Sequence, residues 1–333
     1  MNKPILYGLF FQGGSMFSLL SYGEVLVDFL PTSVNDSSYI PLAGGAPANV
    51  AVAFAKLGGT AHFAGGISED NFGSMLMQSL ENEGVNTDFV QRIEGANTAL
   101  VLVSLDSCGE RTFNFYRHNT ADMQYGISQV DKINWQNIGF FHFCSNTLTS
   151  QPMYSDTLYA IRKAKRNNVL ISFDVNLRQQ LWQDLSLLLS RVEACIEASD
   201  VVKLSKDEAE YLAKIKQVDA NFYVQQLLLL GAKLIVITDG PNPVQVTCAS
   251  FSIMLEVPKI APVDTTGAGD SFISGFLFSL VKSVGDDENI DSLYEIIEQR
   301  EHVSSAVLFG ANCGAFTCQK KGAFTALPHL TDI

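Results

Sequence analysis

The segment with the clearest chemical content is Asp264-Thr265-Thr266-Gly267-Ala268-Gly269-Asp270-Ser271-Phe272, which runs into the apolar stretch Ile273 to Val281. Two glycines flank an alanine where that stretch predicts the start of a helix. Small residues let a ligand approach the backbone closely, and the first N–H groups of a helix have no partner within it. The helix dipole adds about half a positive charge at the same end. The string therefore predicts an anion hole built without lysine. Asp270 stands at its rim, where a carboxylate beside a transferring phosphoryl group would accept the proton of an attacking hydroxyl. Taken alone, Asp270 reads equally as a helix cap and the glycines as a turn; the whole string favours the site.

Such a helix must be held against a sheet. Apolar runs of strand length occur at Phe140 to Phe143, Val169 to Val175, Val201 to Leu204 and Leu234 to Thr238. Helical patterns lie around and between them at Met153 to Asn167, Leu185 to Ala198, Asp207 to Ile215 and Asn221 to Leu230. This alternation predicts βαβ units and a parallel sheet covered on both faces. Upstream, Ser18 to Phe29 reads as a first strand and Ala46 to Leu57 as a small-residue helix stopped by Gly58-Gly59. Thr60 to Gly65 reads as a buried strand and Asn71 to Glu83 as a helix stopped by Gly84. Thr98 to Leu105 and Arg111 to Tyr116 read as strands around a turn at Cys108-Gly109. These early strands do not alternate regularly with helices and predict a small, mostly antiparallel appendage. Gly285 to His302 is acidic and reads as an exposed helix with its loop.

Composition bounds the partners. The 333 residues, 47% hydrophobic and 17% charged, are globular and permit one large domain or two ordinary ones. Lys and Arg total 22 against 35 Asp and Glu, a net charge of −13 that disfavours nucleic acid and anionic membrane. No stretch approaches 18 uninterrupted apolar residues, so no membrane span is expected. The six cysteines (108, 144, 195, 248, 313 and 318) form no C-x-x-C pair, which fits reduced thiols in a cytoplasmic protein. Residues 1–15, with Phe11-Gln12-Gly13-Gly14-Ser15 ahead of Met16, read as a tag or linker remnant and stand outside the fold argument.

Asp264 to Asp270 resembles the C-terminal signature of the ribokinase-like (PfkB) sugar kinases. The family's N-terminal signature is matched by Gly44-Gly45-Ala46-Pro47-Ala48-Asn49-Val50-Ala51, followed by Gly58 and Gly65-Gly66, more than 200 residues upstream. The resemblance runs from about Ser18 to Pro328. Within the family, the fructokinases are most similar at Gly23-Glu24 with Asp28, at residues 110–117, at Asp174-Val175-Asn176-Leu177-Arg178 with Leu181-Trp182, and at Lys320-Lys321-Gly322-Ala323 before Leu327-Pro328. The implied fold is a three-layer α/β/α sandwich over residues 16–333 as a single domain. Its small β-sheet lid would take strands from about 26–44 and 97–118.

The resemblance also implies roles. Asp270 would be the general base, and the N–H groups of Gly267, Ala268 and Gly269 would stabilise the transferring phosphoryl group. Asp28, Gly44, Gly45 and Asn49 would hold sugar hydroxyls, since carboxylates and carboxamides suit a polyol. Arg117 would reach or close over the sugar, and Arg178 would face the phosphoryl group. Lys203, Ser205, Glu208, Thr238, Gly240 and Asn312 would serve ATP, with Glu208 acting on magnesium through water. Ser205 departs from the family's asparagine, and Pro243 stands where a second glycine is usual, without an N–H to offer a phosphate. Asp264, Thr266, Thr317, Gly322 and Ala326 fall where a monovalent cation, potassium, would be held by hard oxygens.

The expected activity is ATP-dependent phosphorylation of a free sugar, D-fructose to fructose 6-phosphate. The nearest alternative is the same chemistry on 2-keto-3-deoxygluconate or a nucleoside; a different class is a non-catalytic sugar sensor. Gly23 lacks the companions of a dinucleotide fingerprint, and no G-x-x-x-x-G-K-[ST] string occurs, which excludes P-loop chemistry. A homodimer through the lid strands is compatible with apolar Leu100, Leu102 and Phe113, as is their packing over a sugar.

Overall fold

The computed structural model describes residues 17–32, 38–105, 111–285 and 290–333. The expected remnant at residues 1–15 and the turn at Cys108-Gly109 lie outside the described residues. The strands are β1 (Ser18–Tyr22), β2 (Leu26–Pro31), β3 (Tyr39–Gly44), β4 (Ala61–Ser68), β5 (Asn86–Ile93), β6 (Leu100–Leu105), β7 (Arg111–Tyr116), β8 (Ile138–Cys144), β9 (Leu170–Asp174), β10 (Val201–Ser205), β11 (Leu234–Asp239), β12 (Asn242–Cys248) and β13 (Ser252–Leu255). The helices are α1 (Ala46–Lys56), α2 (Asn71–Asn82), α3 (Ile127–Val130), α4 (Gln151–Arg166), α5 (Leu188–Glu197), α6 (Lys206–Lys216), α7 (Ala220–Leu230), α8 (Ala268–Ser283), α9 (Ile290–Ile296) and α10 (Arg300–Thr317).

Nine strands form one sheet in the order β13-β12-β11-β10-β9-β8-β1-β4-β5. From β5 to β11 all neighbours are parallel, and β12 and β13 add an antiparallel edge. Its strands read as unbroken apolar runs because both faces are covered. Leu19, Phe140, Leu170, Val201 and Leu234 enter one cluster with α1, α2, α8, α9 and α10. Their neighbours Leu20, Phe141, Ile171, Val202 and Ile235 enter a second with α3 to α7. The result is the expected three-layer α/β/α sandwich.

The second sheet is smaller, in the order β3-β2-β6-β7, with β2 and β6 parallel and the outer pairs antiparallel. Its own cluster is Leu26, Ala99, Val101 and Val103. The sequence reading of Ser18 to Phe29 as one strand is corrected here. β1 belongs to the large sheet and β2 to the small one, with a break at residues 23–25. Gly23 makes the break, since its φ of 144° is a conformation side chains rarely adopt, while its N–H still donates to the Ala64 carbonyl over 3.1 Å.

The acidic stretch Gly285 to His302 also differs from its reading as an exposed helix. Leu293 and Ile296, one turn apart on α9, are buried in the core, and α10 begins at Arg300. Strands β5, β12 and β13 and the length of α10 have no counterpart in the sequence reading.

Candidate active site

A cavity of about 890 Å³ opens at the C-terminal ends of β9, β10 and β11, between the two sheets, and its wall includes the first turn of α8. It is of the size that takes small molecules. Gly267 caps α8 in the left-handed region at φ 75°, where a Cβ would be strained, and so turns the chain into the helix with Ala268 as its first residue. Asp270, in that first turn, is 8% exposed.

The approach to α8 is tied down by one carboxylate. Asp264 accepts from the Thr266 N–H over 2.8 Å through Oδ1 and from the Gly322 N–H over 3.1 Å through Oδ2. The Cys318 carbonyl accepts from Val263 and Asp264 at 2.7 and 3.1 Å. A Cβ on Gly267 would lie 3.9 Å from Thr317 Cγ2 and 4.0 Å from Ala323 Cα. The loop 264–267, the end of α10 and the loop 322–326 thus converge. At this convergence the Asp264 carboxylate, a hard oxygen donor, is held in place by two backbone N–H groups.

Opposite α8 stands α1, buried from Pro47 to Phe54 because its small residues let it pack without protruding. Asn49 Nδ2 donates to Asp270 Oδ2 over 2.7 Å. Asp28 enters from β2, and Gly44 lies directly against its carboxylate, so that a Cβ there would overlap Asp28 Oδ2. Burial is the main force raising the Asp270 pKa, to about 6; the Asn49 hydrogen bond, Lys203 and Arg178 oppose it, and Asp174 adds to it. Burial also raises Asp28, to about 7, with the Asp270 charge next and Arg178 opposing.

Lys203 on β10 faces Asp174 on β9, its register partner. Its ammonium donates to both carboxylate oxygens, at 2.9 and 2.8 Å, and a Cβ on Gly269 would lie 3.3 Å from Nζ. Burial disfavours this ammonium, yet Asp174, Glu208 and Asp270 hold its pKa above the ordinary lysine value. Glu208 makes a capping box with Ser205: Glu208 N–H donates to Ser205 Oγ at 3.1 Å, and Ser205 N–H donates to Glu208 Oε2 at 2.8 Å. Glu208 Oε1 accepts from the Leu177 N–H at 2.7 Å. Burial, then Asp174, raise its pKa. Among the described residues no group of three or more His, Cys, Asp or Glu side chains is arranged to hold a metal. Both Asp174 oxygens accept from Lys203 and both Glu208 oxygens from backbone N–H groups, so this pair is committed to protein partners and forms no metal site of its own.

Of the residues singled out in the sequence, Asp28, Gly45, Asn49, Arg178, Lys203, Ser205, Glu208, Thr238, Asp264, Thr266, Gly267, Gly269 and Asp270 line this cavity. Gly44, Arg117, Gly240, Ala268, Asn312, Thr317, Gly322 and Ala326 are not among its lining residues. Arg117 is buried and donates through Nε to Asp122 and through Nη1 to the Asn146 carbonyl at 3.1 Å. Asn312 is exposed on α10. The sequence reading missed Glu24, Asn146, Asp174 and Lys321 as lining residues. For Asp174 a signal existed: an acid closing an apolar run at the carboxyl end of a parallel strand, where such sheets bind ligands.

The two sheets, the covered parallel strands and the cavity between them define the class, and the chain belongs to the pfkB family of carbohydrate kinases, whose model matches residues 16–330. Among curated proteins, the "probable fructokinase-6, chloroplastic" of Arabidopsis thaliana is 36% identical over 93% of this chain and 79% of its own length. Among solved structures, the ATP-bound fructokinase of Xylella fastidiosa aligns with a TM-score of 0.88 and 35% identity, covering 96% of this chain and 97% of that one. A double mutant of the Vibrio cholerae O395 fructokinase, solved with fructose, ADP and potassium, aligns with a TM-score of 0.82 and 32% identity, covering 95% and 97%.

Proposed function

We propose that this chain transfers the γ-phosphoryl group of ATP to the C6 hydroxyl of D-fructose. The observation that carries the mechanism is Asp270, buried in the first turn of α8 and oriented by Asn49. The hydroxyl proton passes to Asp270 as the new oxygen–phosphorus bond forms; the bond from phosphorus to the bridging oxygen breaks, and ADP leaves. The N–H groups of Gly267, Ala268 and Gly269 take up charge on the transferring oxygens, supported by the helix dipole. Arg178, on the cavity wall, offers a planar fork to the same group. Asp28, Gly44, Gly45 and Asn49 hold the acceptor. Lys203, Ser205, Glu208, Thr238, Gly240 and Asn312 serve the nucleotide side in this reading.

Glu208 would meet a magnesium ion through water, and that ion would neutralise charge on the phosphates. The Asp264 carboxylate, the Thr266 carbonyl and the backbone near Thr317, Gly322 and Ala326 would hold potassium, which would steady the loop entering α8. The cavity wall itself argues for cations: it carries six acids (Glu24, Asp28, Asp174, Glu208, Asp264, Asp270) against three bases (Arg178, Lys203, Lys321). The smaller sheet acts as a lid over the acceptor, excluding water that would compete for the phosphoryl group. Residues 16–333 work as one domain in this reading. A homodimer through the small sheets is part of it; exposed Tyr39, Ile40 and Tyr116 support that, and a monomeric mass in sedimentation would remove it. The expected compartment remains the cytoplasm; no helix among the described residues is long and apolar enough to cross a membrane.

A coupled assay of ADP release, run with fructose, 2-keto-3-deoxygluconate and a set of nucleosides, tests the reading. Fructose is expected to give the highest kcat/KM. A higher value on another acceptor replaces the substrate, and no turnover on any would leave a sugar-binding protein.

A further inference from the structure

Lys320 and Lys321 follow α10 as an adjacent pair, and their side chains go different ways. The Lys320 ammonium lies over the Phe316 ring, 4.2 Å from its centre. Lys321 is exposed and lines the cavity. Among the described residues no partner meets its ammonium; its carbonyl accepts from Thr325 Oγ1 over 3.4 Å. The backbone beside it is fixed. Gly322 N–H donates to Asp264 Oδ2, and its φ of 99° is a turn that side-chain-bearing residues rarely make. A Cβ on Gly322 would lie 3.5 Å from Leu42 Cδ1 on β3, and a Cβ on Gly267 would lie 4.0 Å from Ala323 Cα. Lys321 therefore stands at the seam between the first turn of α8 and the small sheet.

The three bases of the cavity wall are not equivalent. Lys203 donates to both oxygens of Asp174 and sits on the Gly269 side of the α8 turn. Arg178 Nη1 donates to the Leu177 carbonyl over 3.0 Å, and its charge acts on Asp28 and Asp270. Lys321 comes in on the Gly267 side, beside β3. Ser205 and Thr238, which serve the nucleotide in the proposed reading, stand at the ends of β10 and β11. Asp28, which holds the acceptor in that reading, stands on β2, the neighbour of β3. A cation beside the small sheet and the α8 turn thus meets the one phosphate that passes from nucleotide to acceptor. Six acids share this wall, so a polyanion is drawn in only at the bases and at α8. An ammonium on a flexible four-carbon stem can follow a group that moves.

We propose that Lys321 binds the γ-phosphoryl group, first on ATP and then on the phosphorylated sugar, from the side of the α8 turn opposite Lys203. The proposal rests on the reading of this cavity as a sugar kinase site and adds a phosphoryl-binding residue to it. The contact is a charge-assisted hydrogen bond from ammonium to phosphoryl oxygen, made before transfer and kept after it.

Titration calorimetry without acceptor tests it, comparing a non-hydrolysable ATP analogue, adenylyl imidodiphosphate, with ADP. Lys321→Met is expected to weaken the analogue about tenfold and ADP by less than about twofold. Lys321→Arg keeps the charge and should restore most of the loss, while Lys320→Met should leave both ligands unchanged. In turnover, Lys321→Met should raise KM for ATP about tenfold and weaken inhibition by fructose 6-phosphate, with KM for fructose little changed. Unchanged affinity for the analogue would overturn the proposal. So would equal losses for the analogue and ADP, or the same loss in Lys320→Met. If the unaltered protein does not turn over fructose, the proposed substrate fails, and the calorimetry still decides the place of Lys321.

Discussion

Asn49 and Asp270, 221 residues apart in sequence, are joined by a 2.7 Å hydrogen bond from carboxamide to carboxylate. The bond fixes Oδ2 of Asp270 and leaves its other oxygen to receive a proton. It also ties α1 to α8, so that the helix of the glycine-rich N-terminal string and the helix proposed to carry the anion hole meet at one carboxylate.

Asp270→Asn keeps the shape and the bond acceptor but removes the base. Turnover should fall by about 10²–10⁴-fold, the usual worth of general-base catalysis, while fructose still binds. Titration calorimetry and the coupled assay check both halves; retained turnover removes Asp270 as base.

The base must be ionised to act, so kcat/KM should fall as pH drops through about 6, the Asp270 value. Asp28, at about 7, sits beside it, so the acid limb reports the pair. Arg178 lowers both values, and Arg178→Gln should therefore move the limb to higher pH. A pH–rate profile that is flat from 5 to 8 would contradict the assignment.

The same raised values bear on stability. An aspartate whose folded pKa exceeds its ordinary 3.8 contributes stability that is fully present below that value and lost as pH rises through the folded value. Free of ligand, the protein should lose stability between pH 4 and 7 on this account. Asp28→Asn should raise the melting temperature at pH 8 and leave it unchanged at pH 3, while weakening fructose binding. Melting curves at the two pH values decide it.

Lys203→Met should destabilise by about 3–5 kcal/mol, because it leaves the Asp174 carboxylate buried and unpaired. Adding Asp174→Asn should recover much of that loss. A double-mutant cycle in denaturant measures the coupling, and additive losses would show that the pair is not one unit.

Replacing potassium with lithium should lower kcat by roughly an order of magnitude through loss of order at the anion hole. Asp264→Asn should lower kcat in potassium and make the two salts equivalent. Equal rates of the unaltered protein in both salts would remove the cation from the account.

Much of this was legible in the sequence because the decisive strings are local. The α8 glycines with Asp270 read as a phosphoryl site from a few adjacent residues, and the Gly44-Gly45 entry to α1 read as part of a site through its resemblance to a family signature. The apolar runs from β8 to β11 read as covered parallel strands. Lys203 and Asp174 were harder, because their pairing depends on the register of β9 against β10. The split of β1 from β2 turned on one glycine conformation between two runs of the same apolar character. Strands β12 and β13 have no counterpart in that reading; Pro243, read only for the N–H it lacks, sits near the start of β12. Arg117 read as reaching or closing over the sugar, because nothing nearby in sequence announces that the Asn146 carbonyl would meet its guanidinium.

The chain passes between the large-sheet body and the small sheet four times: after Tyr22, after Gly44, between Ile93 and Leu100, and after Tyr116. Asp28 travels with the small sheet, whereas Asn49 and Asp270 belong to the helices of the large one. The spacing across which an acceptor would reach is thus held by four connectors, two of which also bring Glu24 and Gly45 to the cavity wall. An insertion or deletion in one of them would detune alignment with the reactive groups all in place, so the lengths of these connectors matter to the site as much as its chemistry.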